Sequence, residues 1–235
     1  MPAKISNLFW ELYPFFYEKM ETFPSYKRMM KDVAKNLNPK KGGIYLDLGC
    51  GTGNLIQELH LICNDIKTYG VDSSLSALKI AQSKIKKNKI NSAEFCQYRI
   101  EDKLPFKDET FDGISAVNLI CYLPPSSVYQ LIKESKRTLK RNGRLCLVYP
   151  NKVSYSKGID DFKSFVKSES SKAIVSVPFY FTVGLMNLPM RLKTNIRCYE
   201  KDYVEALLSK EGFKNIKTEK TYYGETTLLT VGEKI

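Results

Sequence analysis

The stretch Leu46-Asp47-Leu48-Gly49-Cys50-Gly51-Thr52-Gly53 closes a short apolar run that begins at Ile44 and precedes a helical run from Leu55 to Ile62. Glycines between a strand and a helix let the main chain turn sharply and let a ligand lie against bare backbone. The amides at the start of the helix then face that ligand. An acid is expected at the end of the next strand, and Asp72 stands there, 23 residues after Gly49, in Tyr69-Gly70-Val71-Asp72-Ser73. One carboxylate can accept from both adjacent hydroxyls of a ribose, so an adenosine-type ligand is expected. The glycines fall at 49, 51 and 53, and Asn54 occupies the place of the third glycine in the dinucleotide pattern. That spacing does not suit a pyrophosphate.

Outward from the turn, strand and helix alternate. Lys67 to Val71 reads as a second strand. Leu75, Leu78, Ala81 and Ile85 make the buried stripe of the next helix, capped by Ser73 or Ser74. Strands are expected near Ala93 to Tyr98 and at Phe111 to Val117. Pro124-Pro125-Ser126-Ser127 opens a helix whose Val128, Leu131, Ile132, Ser135 and Leu139 share a face, and Asn142-Gly143 should stop it before a fifth strand from Arg144 to Tyr149. After residues 151–198 the pattern resumes with a helix from Lys201 to Lys210, a strand to about Tyr222 and a last strand from Thr226 to Val231. The short Tyr223-Gly224-Glu225 turn makes those two strands antiparallel. The fold class is therefore α/β, a mostly parallel sheet with helices on both faces and one reversed strand. The organisation expected is a single domain over 1–235, with an N-terminal helical cap at 1–41 and an insertion at 151–198 after the fifth strand.

The turn resembles the first motif of the class I S-adenosylmethionine-dependent methyltransferases, a strand ending D-L-G-x-G-x-G. Leu104-Pro105-Phe106 with Phe111-Asp112, Leu139 to Leu145, and Glu211-Gly212-Phe213 are similar to further family elements. The resemblance implies a Rossmann-like seven-stranded sheet of order 3-2-1-4-5-7-6. It implies S-adenosyl-L-methionine as cofactor and S-adenosyl-L-homocysteine as product. By the same resemblance, Asp47 and the Gly49, Cys50, Gly51 and Gly53 backbone would hold the methionine portion. Asp72 would take the ribose hydroxyls and Ser73 would flank the adenine. Where the family often has an Asp before L-P-F, this chain has Ile100, followed by Glu101. Either Glu101 substitutes or the adenine is held by backbone and Ile100 packing, the second being preferred. Asn118 and Leu119 match the wall around the sulfonium, although Asn118 serves equally well as a turn cap.

Methyl transfer from a sulfonium is an in-line displacement that needs donor and nucleophile held close and aligned. No residue stands out as a general base, and no catalytic residue is assigned. His60, the only histidine, lies among Leu59, Leu61 and Ile62 and reads as structural. Tyr122, Tyr149 and Asn151 fall near the carboxyl ends of strands four and five, where ligands bind in open α/β sheets. Tyr149 could equally be buried in the sheet. The aromatic N-terminal stretch brings Tyr13, Tyr17 and Arg28 as candidates: Tyr13 for the substrate, Tyr17 and Arg28 for the cofactor, Arg28 at its carboxylate.

Ala173 to Met190 carries no charge and contains Phe179, Phe181 and Met186. Pro178, Gly184 and Pro189 within it break a spanning helix. It reads foremost as a roof over a small, hydrophobic or lipid-like acceptor, with a homodimer surface and a peripheral membrane contact as the other readings.

Lys+Arg is 37 against 25 Asp+Glu in 235 residues, a net +12 that invites a nucleic-acid reading. Of those 37, however, 30 are Lys and 7 are Arg, and phosphate and base readers lean on Arg. The N-P-P-Y element of amine-targeting nucleic-acid methyltransferases is replaced here by Asn118-Leu119-Ile120-Cys121-Tyr122. An RNA methyltransferase and an inactive cofactor-binding regulator are the two rival functions. The six cysteines include no C-x-x-C pair, so no metal site is expected. Cys96 and Cys146, in strand-like runs, should be buried. Free thiols without a leader predict a cytoplasmic setting.

Overall fold

A computed structural model describes residues 14, 18, 24–99, 103–151, 196–222 and 226–235. The elements are α1 (Pro24–Leu37), β1 (Ile44–Leu48), α2 (Asn54–Ile62), β2 (Lys67–Asp72), α3 (Leu75–Lys87), β3 (Ala93–Gln97), β4 (Phe111–Val117), a 3₁₀ turn (Ile120–Tyr122), α4 (Pro125–Thr138), β5 (Leu139–Pro150), α5 (Lys201–Lys210), β6 (Phe213–Tyr222) and β7 (Thr227–Lys234). The strands lie in the order β3-β2-β1-β4-β5-β7-β6. The pairs β1–β2, β1–β4, β2–β3 and β4–β5 are parallel, and β7 runs against both β5 and β6. The order and the single reversed strand are those expected.

Successive side chains on a strand point to opposite faces, and the two layers of the core follow from that alternation. One layer sets Leu46 and Leu48 of β1, Ile114 and Ala116 of β4, and Leu145, Leu147 and Tyr149 of β5 against Val128, Leu131 and Ile132 of α4 and Val204 and Leu208 of α5. The other sets Tyr45, Cys146, Val148 and Leu229 against Tyr26, Met29, Met30, Val33, Ala34 and Leu37 of α1 and Leu55 and Leu59 of α2. Fully burying a side chain of this size contributes roughly 1.5–3 kcal/mol, so the α1 face alone secures that helix to the sheet. Asp47 and Ser115 belong by parity to this second layer and are both buried in it.

Two family-like elements have structural work. Asp112 Oδ2 accepts from the Ile44 amide at 2.8 Å and from Lys140 Nζ at 2.7 Å, fixing the start of β1 against β4 and β5. The Leu104–Phe106 segment is held by Arg137, which donates to the Leu104 and Phe106 carbonyls at 3.0 and 2.9 Å and pairs with Glu134.

Three local expectations are corrected. The helix before β5 ends at Thr138, and Leu139 already pairs with Phe111 as strand. The Asn142-Gly143 signal belongs instead to a register shift inside β5, where Asn142 takes φ 64°. Cys96 is exposed because β3 is the edge of the sheet, whereas Cys146, in β5, is buried as expected. Leu75, the first residue of α3, is exposed, while Leu78, Ala81 and Ile85 are buried. The α3 cap is Ser74, whose Oγ accepts from the Ala77 amide at 3.1 Å.

Candidate functional site

The glycine turn is folded back onto the end of β2. The Gly49 and Cys50 amides donate to the Val71 carbonyl at 2.8 and 3.0 Å. Gly49, Gly51 and Gly53 all have positive φ, at 67, 52 and 80°, a region that costs other residues about 1–2 kcal/mol. A Cβ at Gly49 would also stand 2.9 Å from Leu119 Cδ1, so the Leu119 side chain would have to shift. Leu119, just beyond β4, thus covers the turn. Gly53 precedes α2, and no side chain caps that helix. Its first amides remain directed at the turn, where they favour an anionic group.

Two carboxylates flank the turn. Asp72 is tied at both oxygens: Oδ2 accepts from the Gly51 amide and Oδ1 from the Ser74 amide, each at 2.9 Å. Asp47 sits at the end of β1 beside Gly70 of β2 and Ser115 of β4. Its Oδ1 accepts from Ser115 Oγ at 2.8 Å. Burial pushes the Asp47 carboxyl up to about 7; the Ser115 hydrogen bond opposes this, and the nearby Asp72 charge adds to it. The Cys50 thiol fills the room left by the missing Cβ of Gly70, and burial raises it well above the ordinary thiol range. It is a packing group, not a nucleophile.

The remaining expected residues distribute as follows. Ser73 is exposed at the end of β2, and its carbonyl accepts from Gln97 Nε2 at 2.9 Å. Asn118 has φ 54°, and its amide donates to the Val148 carbonyl at 2.9 Å, so it shapes the turn after β4. Tyr122 lies in the 3₁₀ turn and Asn151 directly after β5, both at the carboxyl end of the sheet. Asn151 Oδ1 is buried without a hydrogen-bond partner. Arg28 is largely exposed on α1 and pairs with Asp32 at 3.6 Å. Tyr149 is buried in the sheet, its hydroxyl 2.8 Å from Thr230 Oγ1. His60 is buried behind the turn, with Nε2 3.1 Å from Thr68 Oγ1, and burial lowers its pKa. Tyr13, Tyr17, Ile100, Glu101, Phe179, Phe181 and Met186 lie outside the described residues, as does the 173–190 run.

Three features were not foreseen. Ser115 is the one hydroxyl in β4, between the apolar Ile114 and Ala116, and that isolation was its only sequence signal. Thr52 Oγ1, inside the turn, is buried with no partner. Asn54 donates to Tyr26 Oη at 3.0 Å and accepts from Lys84, which also pairs with Glu18 at 2.7 Å. This chain of contacts links α1, α2 and α3 just behind the glycine turn. Among the described residues there is no cluster of metal-ligating side chains, and no helix is long and apolar enough to cross a membrane.

Residues 39–178 match the family model described as a methyltransferase domain, more than half of the chain. The chain belongs to that family. It is a class I S-adenosylmethionine-dependent methyltransferase. An uncharacterized protein of Methanocaldococcus jannaschii is 32% identical over 173 residues, 67% of this chain and 70% of that one. A demethylmenaquinone methyltransferase of Geobacillus stearothermophilus is 29% identical over 140 residues, which cover 56% of this chain and 57% of that protein. The solved structure of a SAM-dependent methyltransferase from Aquifex aeolicus shares the fold, with a TM-score of 0.62 at 18% identity over 100% of this chain and 99% of that one.

S-adenosylmethionine is the cofactor of this methyltransferase, and the residues around the turn suit it. An orphaned buried hydroxyl on Thr52, a bare glycine surface, an uncapped helix N-terminus and two carboxylates offer partners for an amino acid joined to a nucleoside.

Proposed function

We propose that this methyltransferase acts on a small hydrophobic or lipid-like acceptor, bound beneath the segment that leaves the sheet after β5 and returns before α5. The observation that carries this reading is where that segment is anchored. The Asn151 amide donates to the Thr226 carbonyl at 2.9 Å, and on the return the Arg197 amide donates to Cys121 and the Tyr199 amide to Pro150, at 2.9 and 3.1 Å. Tyr199 Oη adds a bond to the Leu123 carbonyl at 3.0 Å. Both ends therefore emerge at the carboxyl edge of β4 and β5, beside the glycine turn. The uncharged Ala173–Met190 run belongs to this excursion, and its composition favours an apolar partner. The methyl acceptor named in the Geobacillus relative, demethylmenaquinone, supports the same class.

Within this reading, Asp72 receives the ribose hydroxyls on the acceptor capacity left by its two amide contacts. Asp47 faces the ammonium of the methionine portion, the α2 amides and Thr52 its carboxylate, and Leu119 closes the sulfonium side. Ser73 borders the adenine, with Ile100 or Glu101 completing that side. Tyr122 and Asn151 lie on the acceptor side, to which Tyr13 and the 173–190 aromatics are also assigned. Residues 1–41 are assigned to a cap in the same single domain, with Tyr17 and Arg28 as its candidates for the cofactor. When bound, S-adenosylmethionine supplies a methyl group already activated on sulfur, so the chain's task is alignment and exclusion of water. No dedicated base is invoked.

The test is transfer of labelled methyl from S-adenosylmethionine into fractionated lipid, small-molecule and RNA extracts. Label in the lipid or apolar small-molecule fraction is expected. Label confined to RNA would overturn the acceptor class.

A further inference from the structure

Ser115 is fully buried in β4, on the sheet face covered by the apolar side chains of the α1–α2 layer. A hydroxyl left unpaired in such a place is destabilising, so Ser115 needs an acceptor. Its Oγ lies 2.8 Å from Asp47 Oδ1 and 3.3 Å from the Leu46 carbonyl. A hydroxyl has one proton to give, and the shorter, charge-assisted contact is to the carboxylate. The parallel register pairs Asp47 with Ser115 directly, so both side chains leave adjacent strands on the same face.

Among the described residues, the other groups around Asp47 do not help it to stay ionised. Asp72, at the end of β2, repels its charge, and Cys50, in the turn, is a neutral thiol at ordinary pH. On the helices over this face, His60 of α2 turns to Thr68, Tyr26 of α1 goes to Asn54, and Lys84 of α3 goes to Asn54 and Glu18. Among the described residues, Ser115 is the group that donates a side-chain hydrogen bond to the carboxylate.

We propose that Ser115 is a positioning residue for cofactor recognition: its hydroxyl orients the Asp47 carboxylate and holds it in the anionic form that meets the ammonium of S-adenosylmethionine. The proposal rests on the assignment of Asp47 to the methionine portion made above. Removing the donor leaves burial and Asp72 unopposed, so a higher pH is needed to ionise Asp47.

The experiment is calorimetric titration of S-adenosylhomocysteine at pH 6, 7 and 8 into the wild-type protein, Ser115→Ala, Ser115→Cys and Asp47→Asn. The ligand's own amine titrates equally in every case, so differences between proteins at each pH are read. Ser115→Ala should weaken binding several-fold at pH 6 and 7 and recover toward wild type at pH 8. Ser115→Cys, similar in size but a weaker donor, should fall between the two. Asp47→Asn should bind weakly with a flatter pH profile. A Ser115→Ala loss equal at all three pH values, or no loss, with Asp47→Asn impaired, overturns the role of Ser115 alone. Wild-type affinity in Asp47→Asn overturns the Asp47 assignment itself.

Discussion

The backbone amide of Gly51 donates to Asp72 Oδ2 at 2.9 Å, so the tip of the glycine turn and the acid at the end of β2 are one bonded unit. The second oxygen takes the Ser74 amide at the same distance. Asp72 therefore shapes the turn before it meets any ligand, and its acceptor atoms are oriented in advance.

Asp72→Ala should lower affinity for S-adenosylhomocysteine by more than tenfold, because two hydroxyls lose their acceptor and the Gly51 amide loses its anchor. Calorimetry checks this. Unchanged affinity would remove the ribose assignment.

Asp47→Asn should stabilise the ligand-free protein above neutral pH. The Asp47 carboxyl is raised from 3.8 to about 7 in the fold. Between those values the folded state binds more protons than the unfolded one, so this group's contribution to stability falls as pH rises and is lost by about 7. The melting temperature of the variant relative to wild type should increase from pH 5 to pH 8. A constant or decreasing difference would contradict a buried, strained carboxylate.

Gly49→Ala should be destabilising and should impair cofactor binding. The substitution meets Leu119 at 2.9 Å and carries φ 67°. Adding Leu119→Ala should recover part of the stability but not the backbone cost of about 1–2 kcal/mol. A double-mutant cycle in urea, with no coupling between the two sites, would refute the contact.

Deletion of 173–190 should spare cofactor binding and remove methyl transfer. Retained turnover on the native acceptor would end the roof reading.

Much of this architecture was legible because the signals were local. The stretches Ile44–Leu48, Phe111–Val117 and Lys201–Lys210 have the expected bounds, each being a short periodic run between breakers. The glycine turn announced its own conformation. What escaped depends on contacts far apart in the chain. The Ser115–Asp47 bond joins residues 68 positions apart, and nothing in either segment names the other. Cys96 looked like a core residue because an edge strand and a central strand share one local pattern. Asn142 is a left-handed residue as its type favours, but the sheet captured Leu139 before the helix could reach it.

The anchoring at Asn151, Arg197 and Tyr199 has a consequence for how such an enzyme changes partners. The two ends of the excursion are hydrogen-bonded into the same corner of the sheet, and closing a loop between fixed ends costs little more as it lengthens. The intervening residues can thus be replaced, shortened or extended without re-registering a single strand. In the proposed reading, in which this excursion covers the acceptor, acceptor choice becomes a detachable cassette, and grafting the corresponding segment from a relative should transplant specificity while leaving the nucleoside half of the protein as it stands.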